Sequence, residues 1–186
     1  MNASIDISDV IIKTERLTLR PWRESDLDDF FEYASVAGVG EAAGWSHHKT
    51  KEESKTILDI FIKEKKTFAI EYEGKVIGSI GIEKYHEEIM PELDGRLGRA
   101  LGFVLSKEYW GNGLMPEAAA AVIKWLFDET GLDFIVCGHH PDNLRSKRVQ
   151  EKCGFKPYKK STFRTTWGES RESCVNILFR DEHNRI

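Results

Sequence analysis

The chain has 186 residues, 40% of them hydrophobic and 31% charged, with a formal net charge of −4. This composition fits one globular domain with a real core and excludes disordered and fibrous classes. No run approaches the ~20 apolar residues that span a bilayer, and the acidic balance argues against a non-specific nucleic-acid binder, so neither a membrane nor a nucleic acid is expected as a partner.

The opening residues, MNASIDISDV, are acidic and lack a basic stretch ahead of an apolar one. No secretory signal is read there, and a cytoplasmic location is expected. TERLTLRPW then alternates, with Leu17 and Leu19 on one face, which predicts a half-buried strand ended by Pro21. SDLDDFFEYAS follows as a helix, with Ser25 as its cap and Leu27, Phe30, Phe31 and Ala34 on one face. VAGVGEAAGW is small and glycine-rich, hence a loop. Thr50-x-x-Glu53 is a capping box that opens a second helix, whose apolar face is Ile57, Leu58, Phe61 and Ile62. TFAIEY and VIGSIGIEKY flank EGK as a hairpin, and HEEIMPELDGRLG is a polar connection.

RALGFVLS, from Arg99 to Ser106, reads as a short central strand. PEAAAAVIKWLFDET is an alanine-rich helix with Pro116 in its first turn and Gly131 as its stop. LDFIVCGHH is a strand, and PDNLRSKRVQEKCGF is a helix capped by Asp142 or Asn143 and ended by Gly154. A last hairpin spans STFRTTW and RESCVNILFR. The order β-α-α-β-β-β-α-β-α-β-β predicts a single α+β domain with a mixed sheet. Cys137, Cys153 and Cys174 are odd in number and widely spaced. They predict reduced core thiols, not a disulfide framework or a zinc site, and no metal is expected.

Between the central strand and the alanine-rich helix lies YWGNGLM. Glycine costs conformational entropy but lets a ligand approach the backbone. The first turn of a helix carries unpaired N–H groups and partial positive charge, so this stretch can cradle a phosphate. It is not a Walker loop, since no Lys-Ser/Thr follows, nor a dinucleotide fingerprint, since Pro116 stands where a third glycine belongs. A plain strand-to-helix turn is the alternative.

The sequence ALGFVLSKEYWGNGLMPEAAAAVIKWLF, followed by HHPDNLRSKRVQEKCGFK, resembles the GNAT N-acetyltransferase family, most closely its RimJ/RimL branch. The resemblance also takes in TERLTLRPW and GKVIGSIGI, and so covers almost the whole chain. It implies a mostly antiparallel sheet flanked by helices in a domain spanning 14–180, with an N-terminal extension of 1–13 and a tail of 181–186. It also implies acetyl-CoA as co-substrate. The family's diphosphate signature falls on Trp110, Gly111, Asn112, Gly113, Leu114 and Met115; Gly113 matches it, whereas Trp110 and Met115 replace a polar and a small residue. The strand around Phe103 and Val104 would pair with the pantetheine arm across a V-shaped gap. Asn143 would cap its helix and bond the pantetheine, with a cap alone as the alternative.

Transfer to an amine requires a proton acceptor, an oxyanion donor and a partner for the departing sulfur. The resemblance implies a backbone donor near Phe103 or Val104. Ala100 stands where many relatives carry a glutamate, and Gln150 where many carry a tyrosine. The resemblance to the RimL-like branch implies Ser146, three residues after Asn143, as the partner for the sulfur, a helix-surface serine being its alternative. Glu83, Glu41, His47 and His48 are the candidates for the base; Glu83 is assigned to catalysis, and Glu41, Trp45, His47 and His48 to the acceptor site. Each has an alternative as a solvated surface group. No cysteine has a partner for a covalent route, so direct transfer to a primary amine is expected. The amine could be a protein N-terminus or a small molecule, and a homodimer is left open. A non-catalytic acyl-CoA-binding module is the rival reading, favoured by Ala100 and Gln150.

Overall fold

A computed structural model describes residues 1–183. Eight strands form one sheet: β1 (Ile12–Lys13), β2 (Leu17–Pro21), β3 (Thr67–Tyr72), β4 (Lys75–Glu83), β5 (Gly98–Leu105), β6 (Phe134–His139), β7 (Lys156–Arg164) and β8 (Ser170–Phe179). Their spatial order is β1-β2-β3-β4-β5-β6-β8-β7. Every neighbouring pair is antiparallel except β5 and β6, which run parallel. The expected α+β class and mixed sheet are therefore present; the order of elements is the expected one with β1 added ahead of it and a short helix, 180–183, after it.

Five helices accompany the sheet: α1 (Leu27–Ala34), α2 (Lys51–Glu64), α3 (Leu114–Glu129), α4 (Leu144–Lys152) and α5 (Arg180–His183). The period-2 pattern of the strands sorts their side chains to two faces. Leu19, Phe68, Ile70, Ile80, Ile82 and Leu101 pack in one core cluster with Ala118, Val122 and Leu126 of α3. A second cluster joins Trp22, Phe30, Tyr33 and Leu58 of the α1 and α2 side to Ala69 and Val76.

Several local expectations are modified. Ser25 is not a cap: it lies in a 3₁₀ turn, Glu24–Asp26, and α1 starts after Asp26. Asp26 turns its buried carboxylate to Arg20 at 2.8 and 2.9 Å, so it serves tertiary structure instead of the helix end. Residues of the expected N-terminal extension, 1–13, contact the sheet. Ile12 and Lys13 form β1, Asn2 bridges Gly98, and Ala3 and Ile7 are buried in the first cluster. The polar connection after β4 forms two 3₁₀ turns and buries Met90 and Leu93 against Tyr85 and Phe134. Of the expected tail, residues 181–183 belong to α5 and 184–186 lie outside the described residues.

The three cysteines are free; Cys137 and Cys153 are buried, and burial pushes the Cys153 thiol up to about 11. Among the described residues no helix is long and apolar enough to cross a membrane, and no three His, Cys, Asp or Glu side chains are grouped to hold a metal.

Candidate active site

The parallel pairing of β5 with β6 covers only Gly98 with Phe134, Arg99 with Ile135 and Ala100 with Val136. Beyond that the two strands part. Neither frays: β4 stays paired to β5 as far as Leu105, and β8 to β6 as far as His139. The wedge is thus a held divergence between two supported strands. Backbone groups turned into it need other partners. Trp110 Nε1 donates to Leu105 O at 2.8 Å, and Gln150 Nε2 donates to Gly138 O at 3.3 Å. A cavity of about 310 Å³ fills the wedge, lined by Gly102, Phe103 and Val104 on one side and by Cys137 and Gly138 on the other.

The glycine turn closes one end. Gly111 and Gly113 have φ of +83° and +76°, and Gly113 is the cap position of α3. An L-residue pays about 1–2 kcal/mol in that region, which accounts for both glycines. The amide of Trp110 donates to Lys107 O at 3.2 Å, whereas those of Gly111 through Met115 meet no protein acceptor among the described residues. Leu114 and Met115 are buried in the first core cluster, so side chains hold the turn while its backbone faces the wedge. Arg16 braces it from outside, donating from Nη1 to Asn112 O at 2.9 Å and from Nε to Glu117 at 2.7 Å. Trp110, Gly111, Gly113, Leu114 and Met115 all line the cavity; Asn112 does not, and serves instead through its carbonyl. The Arg145 guanidinium lies 4.1 Å from the Trp110 ring centroid, and Arg148 and Lys152 add positive charge to the lining.

The start of α4 faces the turn across the wedge. Asn143 caps the helix: its Oδ1 accepts from Ser146 N at 3.1 Å, and its Nδ2 donates to Ala42 O at 3.1 Å. Ser146 also lines the cavity. Gln150, fully buried, explains how the hydroxyl of Ser146 is poised. Its Oε1 accepts from Asn176, which leaves Nε2 to donate to Gly138 O and to Ser146 Oγ at 3.2 Å. Because the Gly138 carbonyl can only accept, the amide orientation is fixed. Ser146 receives that bond, so its own proton is free to be donated into the wedge.

A second cavity of about 260 Å³ adjoins the first through Ala42, Ala43 and Gly138. Tyr85, Met90, Ala100, Val136, His140 and Phe163 are among its lining residues. The expected acceptor residues are not. Glu41 accepts from the His47 ring at 2.7 Å and from the amides of Gly38 and His47. Burial works to raise its pKa, but these hydrogen bonds outweigh it and hold the carboxyl at about 2, too low for a base. His48 is sandwiched by Phe30 and Trp45 and bonds Ser54, and burial lowers its pKa. Trp45 packs against the second core cluster. Glu41, Trp45, His47 and His48 thus shape the loop that presents Ala42 and Ala43. Glu83 is likewise drawn away: it ion-pairs with Lys66 at 2.7 Å, its side chain is 48% exposed, and it lines neither cavity.

Two features escaped the sequence reading: the hydrogen-bond network of Gln150 and the alanines at the junction of the two cavities.

Comparison with known proteins bears on this site. The family model described as an acetyltransferase (GNAT) domain matches residues 16–156, well over half of the chain. An uncharacterized N-acetyltransferase, YnaD, from Bacillus subtilis is 28% identical over 148 residues, covering 78% of this chain and 82% of the relative. Among solved structures, a GNAT-family acetyltransferase from Bacillus anthracis superposes with a TM-score of 0.79 at 24% identity, covering 93% of this chain and all (100%) of that one. RimJ of Mycobacterium smegmatis, solved in complex with CoA-disulfide, gives 0.70 at 18% identity, covering 89% and 83%. At such identities the structural matches speak to the fold.

Proposed function

This chain belongs to the GNAT acetyltransferase family, and from that premise we propose that it moves an acetyl group from acetyl-CoA directly to a primary amine. The observation that carries the reading is the run of unpartnered amides from Gly111 to Met115 at the mouth of the β5–β6 wedge. A helix start with free N–H groups, glycines and nearby cations suits a diphosphate. The wedge beside Gly102, Phe103 and Val104 suits a slender arm that pairs with the strand edge. Gly102 itself leaves open space where a Cβ would stand.

Acetyl-CoA supplies an activated thioester carbonyl when bound. The protein does the rest. The free edge of β5 near Phe103 and Val104 offers a backbone donor to the developing oxyanion. Ser146, its lone pair engaged by Gln150, donates its proton toward the departing sulfur. Asn143 holds the first turn of α4, and so Ser146, against the Ala42 loop. Cys137 and Cys153 are buried thiols whose pKa values burial raises, which disfavours a covalent relay through them. We further propose that the chain falls in the RimJ/RimL-like branch, on its sequence motifs. The test is calorimetry with coenzyme A, paired with thiol release from acetyl-CoA over a panel of peptides and small amines. Micromolar binding with amine-dependent release is expected; binding without release on any amine would leave a carrier or sensor instead.

A further inference from the structure

Residues 14–17, TERL, turn the chain from β1 into β2. Leu17 is buried in the first core cluster and anchors the turn. Thr14 and Arg16 reach across to the first turn of α3, 103 and 101 residues further along, and converge there on Glu117. Thr14 Oγ1 accepts from Leu17 N at 2.9 Å, which leaves its own proton to be donated to Glu117 Oε1 at 2.6 Å. The Arg16 amide donates to the same oxygen at 2.9 Å. The Arg16 guanidinium takes the other oxygen, with Nε at 2.7 Å and Nη2 at 2.6 Å, while its Nη1 goes on to Asn112 O. Burial works to raise the Glu117 pKa, but these bonds outweigh it and hold the carboxyl below its ordinary value.

A helix start ordinarily uses such an acid itself. Its leading amides are unpaired and carry partial positive charge, and a carboxylate in the first turn stabilises them, often by bonding back to them. Glu117 is the acid in the first turn of α3. Yet the amides of Gly111 to Met115 meet no protein acceptor among the described residues, and Glu117 turns both its oxygens to the β1–β2 turn. The wedge itself is lined by Arg145, Arg148 and Lys152 and by no aspartate or glutamate. Glu117 is thus an internal anion, within one helical turn of a site suited to an external one, that is both tethered and neutralised.

We propose that Thr14 and Arg16 are positioning residues for the donor site: they hold the Glu117 carboxylate away from the amides of residues 111–115, so that those amides stay open to the diphosphate of coenzyme A. The inference rests on the acyl-transfer reading. Without Arg16, the carboxylate is released beside the free amides. There it competes with the diphosphate for them and repels it.

Calorimetry with coenzyme A on the whole protein, paired with a thermal melt, separates this role from simple bracing of the turn. Arg16→Ala weakens coenzyme A binding by about tenfold. Adding Glu117→Gln to that variant removes the competing charge and restores affinity by about threefold or more, although it restores no Tm. Glu117→Gln alone leaves Arg16 uncompensated beside the turn. That variant binds coenzyme A at least as tightly as the wild type while its Tm drops, and it serves whether or not Arg16→Ala folds. Bracing alone would move affinity and Tm in the same direction. An Arg16→Ala Kd within about twofold of wild type, a double variant that binds no tighter than Arg16→Ala, or a Glu117→Gln variant that binds more weakly than wild type overturns the inference while leaving acyl transfer standing. Failure of the wild type to bind coenzyme A removes the acyl-transfer reading itself.

Discussion

The two ends of the β5–β6 wedge are built from different material. At one end, residues 111–115 present backbone: five amides without protein acceptors, on a turn whose side chains are buried in the core or braced by Arg16. At the other, the cavity under Phe163 presents side chains from six separated segments, among them Ala42, Tyr85, Ala100, His140 and Phe163. A backbone site depends on conformation and tolerates changes of side chain, as the buried Met115 illustrates. A side-chain site is redefined by a single exchange.

The largest effect is expected from forcing a side chain onto the backbone end. Gly113→Val puts a β-branched residue at φ +76°. The turn relieves that strain by moving, and acetyl-CoA affinity falls by about 100-fold, read by calorimetry. An unchanged Kd would mean that the amides are not the contact. Next comes the joint between the ends. Gln150→Leu leaves Gly138 O, Ser146 Oγ and Asn176 Nδ2 without their partner. It should cost about 2 kcal/mol and lower Tm by about 4–8 °C; a thermal melt that does not shift would show the network to be idle.

Ser146→Ala should lower kcat by about tenfold, the worth of one hydrogen bond to a charged group, while the KM for acetyl-CoA holds. A change confined to KM would make Ser146 a binding residue. The smallest effect concerns the loop. Glu41 is held at about 2, below the ordinary carboxylate value, so its contribution to stability is complete above about pH 4.3 and fades as pH falls toward 2. The gap in Tm between wild type and Glu41→Gln should therefore be flat from pH 8 to 5 and narrow below that. The rate at neutral pH should not change, because Glu41 lines neither cavity. A shifted pH–rate profile would return Glu41 to the chemistry.

The same contrast governs what could be read from the chain. The order of strands and helices and the glycine turn follow from local patterns: period-2 runs, an alanine-rich helix, glycines before a helix start; the wedge came only with the family resemblance. The Asn143 cap was legible for the same reason, since a cap is a three-residue relation. The second cavity was not, because it is assembled from residues far apart in sequence. Spacing also gave no sign that His47 is held by Glu41, that His48 is packed between Phe30 and Trp45, or that Glu83 pairs with Lys66. Ser25 met the local rule for a cap and lost the position to Asp26, whose carboxylate was claimed by a buried arginine. In each case a side-chain partner that spacing does not reveal engages the residue.

The central claim is that the amides of residues 111–115 grip a diphosphate. Amide chemical shifts followed during titration with coenzyme A, and separately with pantetheine, test it most directly. Large shifts at Gly111, Gly113, Leu114 and Met115 with coenzyme A, absent with pantetheine, are predicted. Coenzyme A binding that leaves those four resonances in place would contradict it.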